Sequence, residues 1–168
     1  MKSQIFNYIK VLYEIGEREP KLIAKYVDTF IKLLKSKNNR LVWGAMIALS
    51  KITSIKPQEI FDNLEIIIKA YEKGSVITVD NSISVFAQLV KAGSKYEEKI
   101  FPIIIKHLET CRPKEVAQHA ERVFICINKN NADLFIKALK KRYDMLTDSQ
   151  KKRVDKLLKN IKEGFYSI

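Results

Sequence analysis

The stretch that decides the fold is Leu41-Val-Trp-Gly-Ala-Met-Ile-Ala-Leu-Ser-Lys-Ile52. When Leu41 is numbered as position one, apolar or small residues occupy positions one, five, eight, nine and twelve. Steps of three and four residues place these side chains on one face of an α-helix. The stretch therefore predicts a helix with one buried face, and we call its twelve positions the template.

The template recurs four more times along the chain. Further copies start at Gln4, Thr78, Val116 and Gln150, and the five starts are separated by 37, 37, 38 and 34 residues. Repetition at a nearly constant interval is typical of repeat proteins, in which each unit is one supersecondary structure. The sequence therefore predicts that residues 1–168 form a single repeat domain.

A second amphipathic segment lies between successive template copies. Short polar turns precede the template copies, and longer breaks follow them. Pro20 and Pro57 come just after such breaks, near the first turn of the next helix, where the missing N–H of proline has no cost. The apolar stripes of these segments are Tyr26, Phe30, Leu33 and Leu34; Leu64, Ile67, Ile68 and Tyr71; Phe101, Ile104, Ile105 and Leu108; and Phe135, Ile136, Leu139 and Tyr143.

A unit of two helices that repeats about every 37 residues is typical of an α-solenoid. The chain resembles the HEAT repeat family of armadillo-like superhelices from Gln4 to about Ile161. The segment from Phe101 to Leu108, with Pro102 inside it, is similar to the family's first helix, and Ala45, Ala48 and Leu49 resemble the pattern of its second helix. The resemblance implies a right-handed, all-α solenoid of about four helix pairs. The template copy near Gln4 is an additional N-terminal helix without a preceding partner helix.

In HEAT-like stacks the second helices line the concave side, so the resemblance indicates where a partner would bind. Template positions three, four, seven and eleven are predicted to point away from the core. They are apolar in the N-terminal third, polar in the centre and basic at the C-terminal end, so we expect a non-enzymatic scaffold that binds another protein or a peptide. The predicted contacts are Phe6, Trp43 and Ile47 as apolar anchors, Asp80, Asn81 and Gln88 as polar contacts, and Arg122 as a charged contact.

Two of these residues have a structural alternative. Trp43 is equally compatible with packing in the core, since tryptophan is highly buried on average. Asp80 is interpreted first as the cap of a helix that begins near it, because an aspartate at that place accepts hydrogen bonds from exposed backbone N–H groups.

The net charge of +12 raises the alternative of nucleic-acid binding. Of the 31 basic residues, 25 are Lys and six are Arg, and lysine lacks the planar fork that reads bases. A Lys-rich surface that keeps the protein soluble is the simpler interpretation. The residues that would bind nucleic acid are Arg122, Lys152, Arg153, Lys156 and Lys159.

An enzymatic version of this alternative comes from DNA alkylation-repair glycosylases, which are similar in architecture. Those enzymes hold DNA in a basic concave groove with Trp, Asp and Arg. Here Trp43, Asp80 and Arg122 lie on successive second helices, although at different template positions.

Other classes of function find no support in the sequence. There is no glycine-rich phosphate loop or Ser-His-Asp arrangement, so neither catalysis, a cofactor nor a small-molecule substrate is predicted. His107, Cys111, His119 and Cys126 fall within one repeat, but their spacing matches no compact zinc motif, and we predict no metal site. Neither a signal peptide nor a membrane span is evident, and the two cysteines are interpreted as reduced thiols of a cytoplasmic protein.

Overall fold

The computed structural model describes residues 2–165, and it describes side chains from Asn7 onward. Within this range the chain is all α-helical, without a strand, which confirms the predicted class. None of the helices in this range is long and apolar enough to cross a membrane. In chain order they are α1 (Lys2–Arg18), α2 (Pro20–Ala24), α3 (Val27–Leu33), α4 (Asn39–Ile52), α5 (Pro57–Phe61), α6 (Leu64–Lys73), α7 (Val76–Ala92), α8 (Ser94–Thr110), α9 (Pro113–Val123), α10 (Ala132–Arg142) and α11 (Asp148–Phe165).

The five template copies begin in α1, α4, α7, α9 and α11. Each of these helices packs against the next one in this series. The helices between them contact the same series from the side: α2 and α3 pack on α4, α6 packs on α7, and α8 packs on both α7 and α10. Helices separated by a whole repeat along the chain are therefore neighbours in space.

The intervening segment is a single helix in α8 and α10 but is broken in the first two repeats. The sequence predicted one helix in each case, so this is a correction. The breaks fall at Tyr26 and Asn63, whose backbone angles (φ −96°, ψ 13° and φ −109°, ψ 21°) leave the helical region. The side chain of Asn63 donates to the carbonyl of Glu59 and satisfies a group that the break exposes. As predicted, Pro20 and Pro57 stand in the first turn of α2 and α5.

The core runs along the template face of α4, α7, α9 and α11. In α4, the side chains of Ala45, Ala48, Leu49 and Ile52 have no exposed area. The equivalent residues of α7 are also fully buried, including Phe86, one of the largest side chains in the core. Burial of this face is the main stabilising term, because each repeat supplies apolar area that its neighbours cover.

Hydrogen bonds from polar side chains follow nearly the same step along the chain. Gln88 donates from Nε2 to the backbone carbonyl of Ser50 at 2.6 Å, and the Tyr96 hydroxyl donates to the Gln58 side chain at 3.1 Å. Each of these pairs is separated by 38 residues in the sequence. A separation close to the interval between template copies means that these side chains link helices of consecutive copies.

Asp80 is not a helix cap. Helix α7 begins at Val76, with Ser75 as the capping residue, so Asp80 lies in the second turn of the helix. The apolar residues Val76 and Ile77 form the first turn, and the helix therefore extends four residues further toward the N-terminus than the aspartate suggested. The carboxylate of Asp80 is left to make other contacts.

The burial pattern predicts different consequences for the same substitution at equivalent positions. Val85 and Val11 both occupy template position eight, but Val85 is fully buried and Val11 is 53% exposed. Val85→Ala should lower the free energy of unfolding by about 2–3 kcal/mol, through lost burial and a residual cavity. Val11→Ala should change it by less than about 0.5 kcal/mol. Urea denaturation of the two variants measures this, and equal effects would contradict the assigned packing.

Candidate functional site

The predicted apolar anchors lie at the junction of α1 and α4. Trp43 is half-buried, and its ring centroid is 6.4 Å from that of Tyr13. Ile47 is half-buried and lines an open groove of about 610 Å³, together with Val11 and Ile15 of α1. Charged groups of Glu14, Glu17 and Arg18 complete the groove. The side chain of the third predicted anchor, Phe6, lies outside the described residues.

Helix α1 exposes the face that the other template copies bury. Tyr8, Val11 and Ile15 occupy positions five, eight and twelve, and they are 69%, 53% and 37% exposed. At position five the four later copies have no exposed side-chain area, and at positions eight and twelve the largest value is 9%. Within residues 7–165, α1 therefore presents a partly exposed apolar surface whose residues are three and four positions apart.

The predicted polar contacts Asn81 and Gln88 are engaged within the chain. Asn81 accepts a hydrogen bond from the Ser50 hydroxyl at 3.3 Å, and it donates to the Ile77 carbonyl at 2.8 Å. Gln88 donates to the Ser50 carbonyl. Both residues are half-buried and join α7 to α4. A role for them in partner binding remains a prediction, and it would require these contacts to be shared or exchanged.

Template positions four and eleven are less accessible than the sequence suggested. Gly44 and His119 at position four are buried, as is Cys126 at position eleven. The reason is that the neighbouring second helix packs over these positions. Burial raises the pKa of the Cys126 thiol to about 12, so this cysteine is a poor nucleophile.

Asp80 is the end of a chain of four hydrogen-bonded side chains. Its Oδ1 lies 2.8 Å from Nε2 of His119. Nδ1 of His119 lies 2.8 Å from Nε2 of His107, and Nδ1 of His107 lies 2.8 Å from the hydroxyl of Tyr71. The four residues come from α7, α9, α8 and α6, so the chain crosses the centre of the helical layers. We call it the Tyr-His-His-Asp chain.

The ends of this chain fix the direction of its hydrogen bonds. Ionised Asp80 only accepts, so His119 donates from Nε2 and accepts at Nδ1. His107 then donates from Nε2 and accepts the Tyr71 hydroxyl proton at Nδ1. The pKa of His107 is lowered to about 4, mainly by burial and secondarily by the neighbouring His119, which favours the neutral form of the His107 ring.

Cys111 lies beside the two histidines, at the C-terminal end of α8. Its Sγ and one nitrogen of each imidazole all lie within 4.8 Å of one another. Arg142 of α10 donates to the backbone carbonyls of Glu109 and Cys111, which holds the end of α8 in place. Burial is the main cause that raises the pKa of the Cys111 thiol to about 11. The sequence analysis noted these residues within one repeat but predicted no metal site, because they come from two helices and their spacing is not that of a known motif.

A groove of about 540 Å³ opens onto this cluster. It is lined by side chains from α6, α7 and α8 and from the start of α9, and Tyr71, His107 and Cys111 are among them. Glu115 and Arg112 form an ion pair at its edge. A solvent-accessible space therefore reaches the middle of the Tyr-His-His-Asp chain.

The residues of the nucleic-acid alternative do not share one environment. Arg122 is half-buried and donates to the Ser84 hydroxyl at 2.7 Å. Arg153 pairs with Glu121, and Lys159 pairs with Glu163 at 3.7 Å. Lys152 and Lys156 are exposed on α11. Two of the five charges are thus partly neutralised within the chain, and a third bonds to a hydroxyl.

Comparison with known proteins identifies no relative. No protein-family model matches the chain, and no curated protein matches it. The function is therefore inferred from the contacts within the molecule.

The buried end of the Tyr-His-His-Asp chain allows a direct test of its contribution to stability. Asp80→Ala should lower the free energy of unfolding by about 1–3 kcal/mol, because it leaves the N–H of fully buried His119 without an acceptor. Asp80→Asn keeps an acceptor oxygen at the same place and should cost less. Thermal and urea denaturation of both variants measure the difference. Equal losses would show that the hydrogen bond to His119 does not matter.

Proposed function

We propose that this protein is a scaffold that binds another protein or a peptide and has no catalytic role. We further propose that its helices form a right-handed, HEAT-like α-solenoid of about four pairs, preceded by the additional helix α1. The step of 38 residues between hydrogen-bonded partners such as Ser50 and Gln88 supports this arrangement. So does the packing of each second helix against the next.

The exposed face of α1 is the observation that carries the binding function. Tyr8, Val11 and Ile15 present apolar area where the other repeats receive a neighbouring helix. Contiguous exposed apolar residues in this arrangement mark an interaction surface. Their spacing matches the anchors with which amphipathic helices pack into grooves. We therefore propose an amphipathic helix of another protein as the ligand.

The groove beside Ile47 extends this surface toward the predicted concave anchors. Trp43 and Ile47 lie next to the α1 face rather than at a distance from it, so one helical ligand could contact both. Glu14 and Glu17 at the groove form ion pairs with Lys10 and Lys51, and Arg18 also lines the groove. The groove therefore carries charges of both signs. Asp80, Asn81, Gln88 and Arg122 would then contact a longer ligand along the same side.

A charge placed on the α1 face should abolish binding. Val11→Glu puts a carboxylate at a site that is 53% exposed, so the fold should survive while an apolar ligand is rejected. Affinity for a ligand obtained by capture and then purified should fall about 30-fold or more, as expected for an interface hot spot. Leu134→Glu on α10, where the side chain is 55% exposed, is the matched control and should bind normally. Calorimetric titration gives both affinities, and equal binding by the two variants would refute the proposed surface.

Trp43→Ala tests the concave anchor separately. It should abolish capture of the same ligand while circular dichroism shows unchanged helicity. Loss of helicity together with binding would instead identify Trp43 as a core residue. If Val11→Glu loses binding and Trp43→Ala keeps it, the ligand contacts only the α1 face.

A salt series distinguishes the nucleic-acid alternative. The proposed scaffold should not bind a short labelled DNA duplex or single strand near physiological salt. Binding that persists there, with a steep salt dependence that implies several phosphate contacts, would favour nucleic acid as the ligand. Lys152→Glu and Lys156→Glu should then weaken that binding, whereas Val11→Glu should leave it unchanged.

A further inference from the structure

The cluster of His107, Cys111 and His119 has the composition of a transition-metal site. Imidazole nitrogen and thiolate sulfur are the ligands that zinc and its chemical neighbours prefer. Here these three potential ligand atoms lie within 4.8 Å of one another in the described part of the chain. The cluster is separate from the α1 face, so metal binding there is independent of the proposed scaffold function.

The distances are close to those of a tetrahedral centre. Ligands at normal zinc distances lie about 3.3 Å apart for two nitrogens and about 3.6 Å apart for nitrogen and sulfur. The facing nitrogens, Nε2 of His107 and Nδ1 of His119, are 2.8 Å apart. They would separate by roughly 0.5 Å to admit an ion, and the sulfur of Cys111, which lies within 4.8 Å of one nitrogen of each ring, would move closer.

The other nitrogen of each histidine is held as it is in metal sites. A metal-bound imidazole normally donates its remaining N–H to a carboxylate, carbonyl or other acceptor, which fixes the ring. Nε2 of His119 is bonded to Asp80, and Nδ1 of His107 is bonded to the Tyr71 hydroxyl. Both rings are therefore already oriented with one nitrogen toward each other.

The surroundings leave room for a fourth ligand. The groove of about 540 Å³ reaches His107 and Cys111, so solvent has access to the cluster. Arg142 holds the backbone at Cys111 through its hydrogen bond to the Cys111 carbonyl. Three protein ligands and one open position are the coordination found in zinc sites that keep a bound water.

We propose that His107, Cys111 and His119 bind a divalent transition-metal ion of the zinc class, with a water molecule from the groove as the fourth ligand. The ion joins the end of α8 to α9 and takes the place of the hydrogen bond between the two imidazoles. His107 moves its proton from Nε2 to Nδ1 and donates to the Tyr71 oxygen, so this residue releases no proton. The Cys111 thiol releases one proton for each ion bound.

Cobalt(II) is a suitable probe, because a cobalt–thiolate bond gives a charge-transfer band in the near ultraviolet. Untagged full-length protein should bind one cobalt ion, show this band and show intense visible bands that report four-coordinate geometry. Zinc should displace the cobalt, since such sites bind zinc more tightly. Bound zinc should also raise the melting temperature, and a chelator should reverse the shift.

Substitutions assign the ligands. Cys111→Ser should remove the charge-transfer band, whereas Cys126→Ser, the matched control at the other cysteine, should keep it. Tyr71→Phe leaves the three ligands intact and should retain one ion per chain with about 10- to 100-fold lower affinity. Circular dichroism without metal shows whether each variant is folded.

Clear outcomes would overturn the assignment. Absence of the thiolate band in the folded wild-type protein would mean that the histidine pair and Cys111 bind no ion. A band that survives Cys111→Ser, or that is lost in folded Cys126→Ser, would place the ion elsewhere. Unchanged metal affinity in Tyr71→Phe would show that the Tyr71 hydroxyl does not support the binding of the ion.

Discussion

Close packing between neighbouring helices depends on small side chains at a few repeat positions. Ala45, Ser82 and Ala120 occupy template position five and are fully buried. At Gly44, a Cβ atom would lie 3.1 Å from two carbon atoms of Ile9, so α1 rests almost directly on the backbone of α4. Because interiors are packed without spare volume, larger residues at these places would push the helices apart. These small residues set the distance between neighbouring helices. The contacts between those helices depend on that distance.

The helices were predictable because burial of apolar side chains, the dominant stabilising term, produces a periodic pattern in the sequence. Burial of one helix face requires apolar residues every three or four positions. Four of the five template copies lie within one α-helix, and the fourth copy along the chain begins in α9 and continues past its end at Val123. The breaks at Tyr26 and Asn63 were not predictable in this way. The apolar stripe continues through both places, and the break depends on backbone geometry and on one hydrogen bond from Asn63. Periodicity reports which face is buried, but it does not report whether the helix is continuous.

The template was less informative about the polar residues, because it does not identify hydrogen-bond partners. Asp80, Asn81 and Gln88 were predicted from the template to point toward a partner, but their hydrogen-bond partners lie one repeat away in the same chain. A signal for one of these contacts was present in the sequence, since Asp80 and His119 have complementary side chains and are 39 residues apart. Complementary polar residues separated by one repeat indicate links between repeats. The cluster around Cys111 had no comparable signal, because it depends on how α8 and α9 fold back on each other.

The Tyr-His-His-Asp chain can serve stability and metal binding with the same contacts. The four polar groups come from α6, α7, α8 and α9, and they satisfy their hydrogen bonds in one alignment of these helices only. In the metal-free state, protons on Nε2 of both histidines complete the chain. An ion between the rings would replace only the central proton, and Asp80 would continue to accept from His119. The Tyr71 hydroxyl can reverse from donor to acceptor without moving, because one oxygen provides both functions. The arrangement that aligns the repeats is therefore the arrangement that orients the imidazoles for an ion.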